Sequence, residues 1–580
     1  MPPPVPPAAA RRPHRLDAHG RVRTDDWYWL ADRGDPEVLA YLQAENDYTA
    51  EMLAPTAGLQ EALYQQIKSR VVETDAGPPT RRGPWWYWHR TFEGRQYRVL
   101  CRRADPERAM TATAVAAEAR REGSPGEQVL LDENLLAGDS DYLAVGVLDV
   151  SPDHETLAYA TDLDGSERYT LRFRDTASGE HHRDVIDGVY YGSAWAADGA
   201  TFFYVRPDRA MRPWQVWRHA LGADPEGDEL VFQEDDERFF VAVGLSRSQR
   251  CVVVHSASKT SSEAHWIDAG DPTGEARIVL AREARVEYDL EHDGDSWLVR
   301  TNRPGRGGTP ATNFALYRLP QNSRDPADLE VLLPHRPGVK LSSVDAFAAH
   351  MVVGERSDEN GLECLRVIGR DGDQAAIDQP EPVYSLTGEP NAEWEATSYR
   401  FGYTSLVTPR CSVEHHVATR RRETVWAQEI RGGYDPSEYR TERLWATSYD
   451  GTRIPISAVL RRDRPPGDPA PMLLYGYGAY EITVDPSFSL TRLNLLERGV
   501  SYAIAHVRGG GELGRAWYEG GKMEHKANTF ADFVAVADHL VEVGLAPAGG
   551  VVARGGSAGG LLMGAVANMR PELWRVIVAE

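Results

Sequence analysis

The chain has 580 residues, a formal net charge of −23 and 42% hydrophobic residues. One hydrophobic core stops growing at about 250–300 residues, so two or three domains are required. The acidic balance disfavours nucleic acid and anionic membrane as partners and leans toward cationic ligands. The four cysteines, Cys101, Cys251, Cys364 and Cys411, lie far apart with no C-x-x-C pair, which argues against a disulfide framework or zinc knuckle and fits a reducing compartment. The opening "MPPPVPPAAARRPHR" lacks the apolar segment of a secretory signal. No apolar run reaches the roughly 18 residues of a membrane span, so a cytoplasmic protein is expected.

Three textures follow one another. Residues 1–80 read as helical. "DPEVLAYLQAENDYTAEMLAPTAGLQEALYQQIKSRV" sets Val38, Leu39, Leu42 and Tyr48 at helical spacing. Asp35 is placed to cap the start, with Pro36 at the first helical position, and Pro55 and Gly58 mark a break before a second helix. This segment is expected to belong with the third region.

Residues 81–431 read as all-β. Short runs of β-branched and aromatic residues flank polar turns, as in "YLAVGVLDVSPDHETLAYATDLDG" and "FFVAVGLSRSQRCVVVHSAS". The turns near Ser151, Ala197, Ser248, Asp293 and Ala346 recur at about the period of a four-stranded propeller blade. A propeller leaves only short, protected sheet edges, which suits so long an all-β region. The pattern predicts a propeller; a large β-sandwich or two β domains is the alternative.

Residues 432–580 change to strand–helix alternation, the mark of a parallel α/β sheet. Asp450-Gly451 turns a hairpin, and "APMLLYGYG", "GVSYAIAHV", "GVVAR" and "WRVIVAE" read as buried strands. "NTFADFVAVADHLVEVG" reads as a helix with Phe530, Phe533, Val534, Ala537, Leu540 and Val541 on one face, Asn528 capping its start and Gly544 ending it.

Gly555-Gly556-Ser557-Ala558-Gly559 fits G-x-S-x-G with a strand before it and a helix after. Glycines let strand, sharp turn and helix approach closely, and Ser557 is then presented as a nucleophile. The Ala558 N–H points from a helix N-terminus toward a developing oxyanion. The plainer alternative is a packing turn in which the serine only caps the helix. A serine hydroxyl also needs a base and a carboxylate to orient it. In α/β-hydrolases these follow the serine, yet only Glu572 and Glu580 follow Ser557, and no histidine does. His506, His525 and His539 come in the wrong order. The triad Asp and His are therefore expected beyond Glu580, with "RVIVAE" a core strand cut at its end and the 580-residue chain inactive alone.

At this point the chain resembles the prolyl oligopeptidase family of serine peptidases, and within it the oligopeptidase B (protease II) branch. The likeness is carried by "PHRLDAHGRVRTDDWYWLADRGDPEVLAYLQAEN", "DERFFVAVGLSRSQRCVVVHSASKTSSE", "LLYGYGAYEITVDPSFS", "HVRGGGELGRAWYEGGK" and "RGGSAGGLLMGAVANMRPELW", along nearly the whole chain. It implies an α/β-hydrolase domain under a seven-bladed propeller that limits access, and cleavage of short peptides after Arg or Lys. Ser557 matches the nucleophile, and Tyr477 the residue whose phenol joins the oxyanion hole; without the likeness, Tyr477 reads as an aromatic ending a strand. Asp485 matches the first acid of a D-x-D pair that contacts the P2 side, but Ser487 replaces the second.

Gly509-Gly510-Gly511-Glu512-Leu513-Gly514 satisfies G-x-G-x-x-G, but "RAWYEGGKMEHKAN" is a poor helix opening, so it reads as a structural loop. His181-His182 and His415-His416 lack partners at metal-ligand spacing and read as exposed. No metal or cofactor is expected. Three readings stay open: an Arg/Lys-directed oligopeptidase, a proline-specific or acylpeptide-releasing peptidase, and a non-catalytic scaffold. The oligomeric state is not fixed by the sequence.

Overall fold

The computed structural model describes residues 4–580 apart from 122, 306, 307, 309 and 466. Met1–Val71 and Val72–Glu580 form two units. In the first, His14–Ala18 and Arg21–Asp25 pair antiparallel. The helix Pro36–Leu53 is capped by Asp35, whose carboxylate accepts from the Glu37 N–H. A 3-10 turn over Ala54–Thr56 separates it from the helix Ala57–Arg70. The break falls at Pro55; Gly58 lies inside the second helix. Of the periodic residues, Val38 is buried, whereas Leu39 and Leu42 are exposed.

In the second unit, residues 75–427 form a seven-bladed propeller, each blade a sheet of strands consecutive in sequence: 75–132, 144–189, 193–233, 240–280, 288–333, 339–376 and 385–427. Successive side chains of a strand point to opposite faces, and this joins blade to blade. In Cys251–Ala257 of blade 4, Val252 and Val254 pack with Phe203 and Val205 of blade 3. Cys251, from the other face, packs with Trp297 and Val299 of blade 5. The five recurrent turns near Ser151, Ala197, Ser248, Asp293 and Ala346 are the first hairpins of blades 2–6.

A six-stranded sheet follows, ordered Tyr439–Thr447, Arg453–Arg461, Ser501–Ala505, Met472–Tyr475, Val551–Gly555, Trp574–Ala579. The last four strands run parallel and the first two form the predicted hairpin. Ala503 and Ala505 face the helices Lys526–Glu542 and Ala558–Met569; Tyr502 and Ile504 face the helix Leu490–Glu497 on the other side. Helices thus cover both faces of an α/β sheet, as in an α/β-hydrolase.

Two local expectations are corrected. Helix Lys526–Glu542 begins before Asn528, which is not its cap: the Asn528 amide donates to the Gly520 carbonyl and accepts from the Tyr449 hydroxyl. His415 is buried, because strand alternation in Cys411–His416 turns it inward. Gly544 does end the helix region, at φ +74°. All four cysteines are free. Among the described residues no helix is long and apolar enough to cross a membrane, and no His/Cys/Asp/Glu cluster suits a metal.

Candidate active site

The strand Val551–Gly555 is anchored by Val551 and Ala553, and the helix Ala558–Met569 by Leu562, Met563 and Val566, all fully buried against Phe533. Between them Ser557 adopts φ +56°, ψ −117°, a left-handed backbone that costs a non-glycine residue about 1–3 kcal/mol. The turn is held from the next strand: the Ser557 N–H donates to the Glu580 carbonyl at 2.7 Å, and the Glu580 N–H to the Gly555 carbonyl at 3.1 Å. Arg554 pairs with the Glu580 carboxylate at 2.9 and 3.0 Å.

Two glycines set how closely the three segments meet. A Cβ on Gly555 would lie 2.5 Å from the Gly559 carbonyl oxygen, and one on Gly559 would lie 2.7 Å from the Gly476 carbonyl oxygen. The end of strand Met472–Tyr475 therefore touches the first turn of the serine's helix. Tyr477 follows directly, its Cα and ring edge 3.6 Å from the Gly559 Cβ position. Tyr477 is half-buried and Ser557 exposed. Neither hydroxyl hydrogen-bonds any other described residue. Ala558 opens the helix, so its N–H is one of the four amides that no helical carbonyl can satisfy. Nucleophile candidate and free amide are thus consecutive residues of one turn, and the phenol comes from the stretch packed beside it.

Asp485 is placed differently from a free binding carboxylate. Its two oxygens accept from Arg356 of blade 6 at 3.0 and 3.3 Å. The histidines upstream are occupied elsewhere or exposed. His506 is sealed in the core, its Nε2 2.8 Å from the Ser457 hydroxyl; burial and the nearby Arg443 guanidinium hold its pKa below the usual range. His525 is exposed at the start of helix Lys526–Glu542, and His539 is half-buried. Glu572 is exposed and paired with Arg570.

The glycine-rich stretch Gly509–Gly514, read as a structural loop, is the cradle of the tyrosine loop. The Gly509 carbonyl accepts from the Glu481 N–H at 3.1 Å, and Glu512 Oε1 from the Val484 N–H at 3.0 Å. Lys526 donates to the Gly478 carbonyl at 2.6 Å. Sequence reasoning missed Glu481, Glu512 and Arg515; the only signal for them was the density of glycines.

Family comparison adds to this geometry. Residues 6–428 match the model of the prolyl oligopeptidase N-terminal beta-propeller domain, and residues 486–580 that of the prolyl oligopeptidase family. The chain belongs to the prolyl oligopeptidase family. It is 42% identical to dipeptidyl aminopeptidase BI of Pseudoxanthomonas mexicana, over 99% of this chain and 79% of that protein. It is 38% identical to protease 2 of Moraxella lacunata, over 99% and 80%. Among solved structures, oligopeptidase B of Leishmania major superposes with a TM-score of 0.88 at 31% identity, over 99% of this chain and 81% of that one. Oligopeptidase B of Trypanosoma brucei, closed and with covalently bound antipain, gives 0.88 at 33%, over 99% and 82%. The chain is accordingly a family peptidase with a propeller and a hydrolase domain.

Proposed function

We propose that this peptidase hydrolyses short peptides by acyl transfer, with Ser557 as nucleophile and cleavage after Arg or Lys. One observation carries the reading: an exposed serine held at positive φ between a buried strand and a buried helix, two residues before Gly559, which abuts the segment that bears Tyr477. In the proposed reaction Ser557 Oγ attacks the scissile carbonyl carbon and loses its proton to a base. The oxyanion accepts from the Ala558 N–H and the Tyr477 hydroxyl. A phenol suits that place, because it donates without carrying its own charge. The leaving amine takes a proton as the acyl bond forms, and water then releases the acyl group. The net charge of −23 favours the approach of basic peptides.

The test uses protein expressed from its complete gene. Reporter peptides ending in Arg or Lys should be cleaved faster than those ending in Pro, and Ser557→Ala should abolish turnover. Antipain, covalently bound in the solved T. brucei relative, should block Ser557. Undiminished turnover by Ser557→Ala would remove the assignment. The identity to a protein named dipeptidyl aminopeptidase favours a second reading, release of dipeptides from the amino end. Reporters with free and blocked amino ends separate the two.

A further inference from the structure

The loop after Tyr477 carries more charge pairing than holding a turn requires, and two of its partners, Lys340 and Arg356, lie on the propeller. Tyr480 and Glu481 are consecutive non-glycine residues at φ +58° and +61°. Each such position costs about 1 kcal/mol or more, so the loop keeps its shape only while something holds it. The Glu481 carboxylate has two cationic partners: Lys340 Nζ of blade 6 at 2.5 Å on Oε1, and Arg515 Nη1 at 2.6 Å on Oε2. Arg515 in turn pairs with Glu287, the residue just before blade 5, through its other terminal nitrogen, and its backbone N–H donates to Asn313 of blade 5 at 2.9 Å. Four residues on, Asp485 is gripped by Arg356. The side chains of Glu481, Lys340 and Arg515 are 14%, 17% and 12% exposed, so these pairs are little screened by water.

We infer that Glu481 is a positioning residue for the Tyr477 hydroxyl: through Lys340 and Arg515 it ties the tyrosine's loop to blades 5 and 6, so the phenol is in place only while the propeller is seated. The inference rests on the peptidase reading above and adds how its oxyanion donor is set. Removing one partner of a nearly buried pair leaves an uncompensated charge. With Lys340 or the Glu481 charge gone, residues 480–481 relax toward ordinary backbone angles and Tyr477 drifts from the serine. Misplacement of about 1 Å at a reacting centre is enough to cost up to about 10²-fold in rate.

The test is a double-mutant cycle in protein from the complete gene, with thermal unfolding checked for every variant. Glu481→Gln and, from the propeller side, Lys340→Met should each lower kcat about 10- to 100-fold while KM changes less than about threefold. In a Tyr477→Phe background, which has no hydroxyl left to position, neither should lower kcat further. Losses of equal size in both backgrounds, or unchanged kcat in both single variants, would overturn the inference. Failure of the underlying reading shows elsewhere: full activity in Ser557→Ala removes the peptidase assignment. Unchanged kcat in Tyr477→Phe overturns the positioning role while leaving Ser557 in place.

Discussion

Gly559 carries as much of the site as the serine two residues before it. Its missing side chain is what lets the Gly476 carbonyl lie 2.7 Å from where a Cβ would stand, and carbonyl backbone cannot swing aside as a flexible side chain can. Gly559→Ala should push the 476–477 segment off the helix, costing about 1–3 kcal/mol of stability and about 10²-fold in kcat. Denaturant midpoints and peptide kinetics on the same sample check both numbers. Tyr477→Phe separates packing from chemistry. It keeps the ring against the helix and removes only the donor, so stability should hold while kcat falls about 10²–10³-fold. Ser557 was legible in the sequence because its five-residue motif sits between an apolar run and a helix-like stretch. Tyr477 was legible only by resemblance, since what defines it is the approach of residues 476–477 to residue 559. Asp485 was legible as an acid in the right stretch but not as the partner of Arg356, which lies 129 residues earlier.

Among the elements, the hairpin turn at Asp450, the glycine loop and the helix Lys526–Glu542 are joined by one cation. Arg508 donates to Asp532 at 2.7 and 2.8 Å and to Asp450 at 2.6 Å, while Ser448 donates to Asp532 at 2.7 Å. The Arg508 hydrogen bond holds the Asp450 carboxyl down to about 2, below the usual carboxylate range. A pKa depressed in the folded state gives stability that is present above the unfolded value, near 3.8, and is lost as pH falls through about 2. With its side chain 31% exposed, Asp450 should contribute about 1–2 kcal/mol. Asp450→Asn should therefore be less stable by that amount above pH ~4 and should lose part of the decline between pH ~4 and ~2, read from urea midpoints across pH. The helix itself was legible, because Phe533, Val534, Ala537 and Leu540 recur at its period and are buried as a face. Its start was not, because Asn528 answers to Tyr449 and Gly520, which are remote in sequence or outside the helix. Blades 2–6 were legible for the same reason as the helix: one hairpin signal repeats. Blades 1 and 7 lack that rhythm, since the first holds the helix Ala112–Ala119 between its last strands and the seventh spaces its first two strands widely.

At the scale of the molecule, that interruption in blade 1 closes the ring. Every blade is built from consecutive strands, so no strand is shared between the first blade and the last. The seam is sealed instead by the helix Ala112–Ala119, whose Val115, Ala116 and Ala119 are buried with Trp86 and Trp88 of blade 1 and Val425 of blade 7. Polar clasps flank it: Trp426 Nε1 donates to the Ala76 carbonyl at 2.7 Å, and Arg120 bridges Asp75 at 2.9 Å and the Ala427 carbonyl at 2.6 Å. Lys340 and Arg356 directly, and Glu287 through Arg515, reach the tyrosine loop from that ring, so the positioning proposed for Tyr477 depends on the seam as well. Arg120→Ala removes both arms of one clasp and leaves the apolar seal. Charge-assisted bonds of this kind contribute about 1.5–3 kcal/mol, and about 1.4 kcal/mol is tenfold in an opening equilibrium. Hydrogen exchange should therefore quicken about tenfold or more in the strands Asp75–Ala76 and Arg422–Ala427, with blades 3–5 unchanged. Uniform acceleration around the whole ring would mean that the propeller opens as one cooperative unit and that the seam is not its weakest joint.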